Sequence, residues 1–183
     1  MKKDPFRQRR GFFRNEKRME HTNRKRIRLP SYDYDTPGYY FITVCTEGKR
    51  KLLCEIVGTG LPDGPEVRFS QYGIIAHKQL EQMRDFYPDI RLEKYVIMPN
   101  HIHMLIHLLD TGGFTEKIPN KTNNRISHFV GTFKRFCNRV YGRNIWQVRS
   151  HDHVIRGIAD YQEVWTYIEN NPVKWAEDRF YVV

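Results

Sequence analysis

The chain has 183 residues, with 31 Lys or Arg against 21 Asp or Glu and a formal net charge of +10. That length suits one domain of ordinary size, with or without a tail. No run of ~18 apolar residues is present, which excludes a membrane-spanning helix, and the charged N-terminus lacks the apolar stretch of a secretory signal.

The charge is concentrated at the start. Residues 1–28 hold twelve basic and three acidic residues, leaving nineteen basic and eighteen acidic over 29–183. Residues 1–30 are polar and aperiodic and end at Pro30. They read as a flexible basic arm, either a solvated tail or an element that attracts phosphate. Residues 31–183 read as a near-neutral globular domain. Pro37-Gly38 marks a turn, and Tyr39–Thr46 (YYFITVCT) is an aromatic, β-branched run that predicts a buried strand. Residues 48–69 are rich in Gly and Pro and read as a hairpin excursion. Ala76, Leu80, Met83 and Tyr87 share one helical face, which predicts a helix over 72–87, stopped by Pro88.

Ile90–Met98 and His101–Leu109 read as two strands joined by a tight Pro99-Asn100 turn, an antiparallel hairpin. Residues 110–124 read as a loop. Ile126, Phe129, Val130, Phe133, Cys137 and Val140 trace one face of a second helix. Residues 150–156 are irregular or a short strand. Tyr161, Val164, Trp165 and Ile168 mark a last helix that Asn171-Pro172 closes. A β-α-β-β-α order with an added helix is most simply a ferredoxin-like antiparallel sheet, an α+β fold with helices packed on one face. Cys45, Cys54 and Cys137 are scattered and odd in number, which fits buried thiols in a reducing, cytoplasmic setting.

Chemistry concentrates in two places. His101 and His103 alternate with Ile102 in a strand, so both imidazoles stand on one face, while Ile102, Met104, Ile106 and Leu108 face the core. The pair either holds one divalent metal or consists of surface histidines on a half-exposed strand. His107 extends that face as a supporting or surface residue. On the last helix, Tyr167 sits at the shoulder of the buried stripe with Asn171 one turn later. It is either a packing residue or a nucleophile set beside a metal ligand. Lys134, Arg135, Arg139 and Arg143, in or just after the second helix, either contact backbone phosphates or solvate its outer face. His151 and His153 flank Asp152 as a second His-x-His. Trp146 either stacks on a base or packs in the core.

Taken together, IMPNHIHMLIHL resembles the His-hydrophobic-His motif of the HUH tyrosine transposases. RISHFVGTFKRF, IWQ and HDHVIRGIADYQEVWTYIENNPVKW resemble the REP-associated (repetitive extragenic palindrome) branch of that family, in the same order, over roughly residues 38–175. The resemblance implies an HUH-type ferredoxin-like fold and a single-stranded DNA substrate carrying a hairpin. It also implies His101 and His103 as metal ligands, Asn171 as a third, amide-type ligand and Tyr167 as nucleophile. A divalent ion, Mg²⁺ or Mn²⁺, is then the expected cofactor. Relatives include homodimers that exchange the tyrosine helix and monomers, and both states stay open. The expected activity is metal-dependent cleavage and rejoining of hairpin-bearing DNA through a 5′-phosphotyrosine. The alternatives are a domesticated, non-catalytic single-strand or hairpin binder and a related HUH endonuclease.

Overall fold

A computed structural model of the chain describes residues 32–58, 64–110 and 124–182. The basic arm and almost all of the 110–124 loop lie outside the described residues. The elements run β1 (Gly38–Cys45), β2 (Cys54–Val57), β3 (Glu66–Phe69), α1 (Gln71–Phe86), β4 (Ile90–Met98), β5 (His101–Leu108), α2 (Arg125–Tyr141), β6 (His151–Val154) and α3 (Ile158–Asn170). β4-β5-β1-β6 form one sheet in that order, with every neighbouring pair antiparallel. β2 and β3 pair separately as the expected hairpin. Counting β1, β4, β5 and β6 as the four core strands gives the split βαβ arrangement of a ferredoxin-like sheet.

Local chemistry sets the helix ends. Ser70 Oγ accepts the N–H groups of Tyr72 and Gly73 and starts α1. Asn124 Oδ1 accepts the Ser127 N–H and starts α2, and Gly142, at φ 69°, ends it in the left-handed region. Pro99 and Asn100 turn β4 into β5 with Met98 opposite His101.

Strand alternation then sorts the two faces of the sheet. Tyr40, Ile42 and Val44 of β1 and Ile102, Met104, Ile106 and Leu108 of β5 point to one face. There they meet Ala76, Leu80 and Met83 of α1 and Ile126, Phe129 and Phe133 of α2. This is the expected helix layer. The added helix α3 covers the opposite face, where Val164 and Ile168 bury against Leu105, flanked by Phe41 and Val96. Among the described residues that second cluster has three buried members, each stabilising by about 1.5–3 kcal/mol. α3 is therefore held by much less apolar burial than α1 and α2. His101 and His103 alternate with the core residues of β5, so they face the α3 layer.

Candidate active site

The histidines are not on a half-exposed strand. Both are fully buried, because α3 and residues 172–182 close over their face of the sheet. Their Nε2 atoms lie 2.9 Å apart. Each ring is held from behind at Nδ1. Asn100 Oδ1 is 2.8 Å from His101 Nδ1. The Asn100 amide nitrogen donates to the carbonyls of Phe180 and Lys49, at 2.8 and 3.2 Å, which fixes its oxygen toward the ring. His101 must therefore carry its proton on Nδ1 and leave a lone pair on Nε2. His103 Nδ1 is 2.8 Å from Thr43 Oγ1 across the β1–β5 pair. That hydroxyl rotates to serve either tautomer of His103. With the proton on Nε2, His103 donates to His101; with the proton on Nδ1, both Nε2 lone pairs face the same point.

Tyr167 projects from α3 onto this pair. Its hydroxyl is 3.3 Å from His103 Nε2 and donates to Asp178 Oδ2 at 2.8 Å. Its ring packs edge-on against Phe41 and His103, and 37% of the residue stays exposed toward an open groove of about 1070 Å³. One turn later Asn171 is buried at the helix end. Its amide nitrogen donates to the same Asp178 Oδ2 at 2.8 Å, and its buried Oδ1 has no hydrogen-bond partner among the described residues. A buried amide oxygen with no donor beside it is free to face a cation. A donor set of two imidazoles, an amide and a carboxylate suits a small divalent ion.

Asp178 and Phe180 are the residues that the sequence did not reveal. Asp178 Oδ2 lies 4.0 Å from His101 Nε2 and 3.9 Å from His103 Nε2. The Phe180 N–H donates to Asp178 Oδ1 at 2.6 Å, and the Phe180 ring covers both imidazoles, with centroids 4.7 and 5.8 Å apart. Asp178 is one carboxylate among 21 acidic residues, in a segment with neither helical nor strand period. No pattern distinguishes it from Glu177.

Electrostatics follow from burial. Desolvation and the neighbouring His103 push the His101 imidazole well below its ordinary value. Desolvation also lowers His103, against the opposing pull of Asp178. Burial, then the Asp178 carboxylate, pushes the Tyr167 phenol up. Burial alone would raise Asp178, but the attraction of His103, the Asn171 amide and the Phe180 N–H outweigh it and hold the carboxyl well below the usual range. The resting site is therefore neutral imidazoles, an anionic carboxylate and a protonated phenol.

The remaining candidates spread over the molecule. His107 stacks on Tyr39 and sits 3.5 Å from Glu93, away from the pair. His151 and His153 lie on the edge strand β6, opposite Thr43 and Phe41. His153 contacts Asp160 at 2.9 Å, and Asp160 also accepts the Arg156 N–H at the start of α3. Trp146 is buried against Phe133 and Tyr141, so it packs in the core. Lys134 stands apart from its neighbours. Its amine donates to the carbonyls of Gln147 and Val148, at 2.7 and 3.2 Å, and burial lowers its pKa to about 8. It ties α2 to the following segment and neither solvates the helix nor reaches outward. Arg135, Arg139 and Arg143 line a shallow concavity with Phe136 on the layer opposite α3.

Comparison with known proteins agrees with this architecture. An uncharacterized protein of Haemophilus influenzae is 29% identical over 175 residues, 87% of this chain and 94% of that protein. A REP-associated tyrosine transposase of Escherichia coli is 29% identical over 141 residues, 77% of this chain and 70% of that one. No family model matches. Among solved structures, a REP-associated tyrosine transposase bound to a REP hairpin superposes with a TM-score of 0.56, at 22% identity over 83% of this chain and 76% of that one, which shows a shared fold. The mixed α+β sheet with its paired histidines on a central strand is thus the fold of that hairpin-bound transposase. The chain is similar in sequence to a REP-associated tyrosine transposase and shares the fold of a solved one.

Proposed function

We propose that the protein is a DNA strand transferase that cleaves and rejoins hairpin-bearing single strands through Tyr167. One observation carries the reading: within a single chain, the phenol of α3 lies 3.3 Å from an imidazole whose Nε2 is 2.9 Å from a second one. A nucleophile and a metal-donor pair thus share one pocket without help from a second copy. His101, His103 and the orphaned Oδ1 of Asn171 would hold a divalent ion, Mg²⁺ or Mn²⁺. Such an ion supplies Lewis-acid polarisation of a scissile phosphate oxygen.

The chain's own residues do the rest. An ordinary phenol is ionised in about one molecule in a thousand at neutral pH, and Tyr167 less than that. In the resting site its hydroxyl is spent on Asp178, so attack requires the O–H to leave that carboxylate and turn to the phosphate. The Tyr167 oxygen then bonds to phosphorus as the P–O3′ bond breaks. The phenol loses its proton, and the departing 3′ oxygen takes one up. The 5′-phosphotyrosine keeps the phosphodiester energy, and a second 3′-hydroxyl reverses the step with no nucleotide cofactor. The groove beside Tyr167 receives the scissile strand. Arg135, Arg139, Arg143 and the basic arm attract the DNA backbone.

A second reading, a non-catalytic hairpin binder, draws on the cover that Asp178 and Phe180 place over the histidines. Incubation with labelled REP-like hairpin oligonucleotides and Mn²⁺ or Mg²⁺ separates the two. The expected result is a covalent adduct on a denaturing gel that disappears in Tyr167→Phe. No adduct with any hairpin sinks the enzyme reading, and an adduct that survives Tyr167→Phe sinks the nucleophile.

A further inference from the structure

We propose that Asp178 is a direct ligand of the divalent ion, so that the metal site is a His101–His103–Asp178 triangle shared between β5 and the C-terminal segment. This deepens the strand-transfer reading and rests on it for the class of ion; the geometry stands on its own. The two Nε2 atoms are 2.9 Å apart, and Asp178 Oδ2 lies 4.0 and 3.9 Å from them. A circle through three atoms so spaced has a radius of about 2.1 Å, the bond length of small divalent ions to nitrogen and oxygen donors. One point is therefore at bonding distance from all three at once. A carboxylate that served only to accept from Tyr167 and Asn171 would have no reason to meet that condition with the same oxygen.

Charge and protonation agree. Asn100 forces the His101 lone pair onto Nε2, toward that point. The side chains of His101, His103 and Asp178 are fully inaccessible, and among the described residues the ion-pair partners of Asp178 are these two histidines. The nearby cations are turned elsewhere. The Arg179 guanidinium lies over the Phe180 ring, and the Lys49 amine is directed at the Arg179 carbonyl. A carboxylate buried so deeply calls for a cation beside it. Its orientation is fixed from outside the triangle by the Asn171 amide and the Phe180 N–H, as the outer hydrogen bonds of a metal ligand fix it. Asn171 thereby acts on the site through Asp178 in addition to its free oxygen. The segment after α3 becomes part of the metal site, and the ion fastens it to β5.

The test is a Mn²⁺ titration of the full chain followed by electron paramagnetic resonance, with Asp178→Asn beside the unaltered protein, and anomalous diffraction from Mn²⁺-soaked crystals of the latter. The expected results are a loss of Mn²⁺ affinity of at least about tenfold in Asp178→Asn and an anomalous peak bonded to Asp178 Oδ2. An affinity unchanged in a folded variant overturns the proposal, as does a peak on the histidines with Asp178 out of bonding reach. If Asp178→Asn does not fold, the crystal measurement decides. Mn²⁺ held through Asp178 in a protein that forms no DNA adduct keeps this ligand and removes the strand-transfer reading.

Discussion

Thr43→Val tests whether the histidine pair is wired for a metal. The change keeps shape and volume at a buried position and removes only the hydroxyl that faces His103 Nδ1 at 2.8 Å. When both Nε2 lone pairs face an ion, His103 must carry its proton on Nδ1, and that N–H needs an acceptor. In Thr43→Val it has none, and a buried donor without a partner costs about 1–3 kcal/mol. Since 1.4 kcal/mol is a factor of ten, Mn²⁺ should bind about 5- to 150-fold more weakly. The metal-free protein escapes most of this, because His103 can keep its proton on Nε2 and donate to His101. The melting temperature without metal should therefore move by no more than a few degrees, while Thr43→Ser should retain affinity. Titration with Mn²⁺ beside thermal melts in chelator reads both. Full Mn²⁺ affinity in Thr43→Val would refute the tautomer argument.

Three further outcomes follow from the same physics. In chelator, stability should fall as pH drops below about 6.5. His101 and His103 have folded values below their unfolded value, so the unfolded chain binds more protons there. The loss approaches 1.4 kcal/mol per pH unit for each fully depressed histidine, roughly, and Asp178 adds its own loss only below about pH 4. Urea titrations at several pH values check this, and a flat profile from pH 7 to 5 contradicts it. Gly73→Ala should destabilise the fold by about 1–3 kcal/mol despite the better helix propensity of Ala, because the added Cβ would stand 2.1 Å from the Leu53 carbonyl oxygen that holds Ser70. A melt that rises would contradict it. Deleting residues 1–28 should flatten the salt dependence of hairpin binding while leaving the cleavage position unchanged, and an unaltered salt slope would remove the arm from the DNA contact.

Much of the architecture was legible because the signals are local. Strand alternation in HIHMLIHL and the 3.6-residue stripes of α1 and α2 carry their own periods. β6 was legible only as one of two readings, an irregular segment or a short strand, since His-Asp-His-Val has little strand propensity and exists as a strand because β1 offers it an edge. The side of the sheet taken by α3 was not legible: its stripe announces an apolar face without naming the face it meets. The hint lay in β1, where Tyr39 and Phe41 are as apolar as Tyr40 and Ile42, a run that asks for cover on both sides. At the site, strand alternation put His101 and His103 on one face, whereas Tyr167 stood out through the family resemblance and not through helical spacing, and Asn100 was readable as a turn but not as the residue that sets a tautomer. Asp178 meets the histidines through tertiary packing alone, which no sequence period encodes.

The proposed strand transfer stands or falls on a covalent bond between Tyr167 and DNA. Protease digestion and mass spectrometry of the protein after incubation with a hairpin oligonucleotide and Mn²⁺ test it directly. The expected product is a nucleotide-bearing peptide modified on the Tyr167 oxygen, absent without the ion and absent in His101→Ala. A modified peptide from any other part of the chain, or unmodified Tyr167 alongside cleaved DNA, would contradict it.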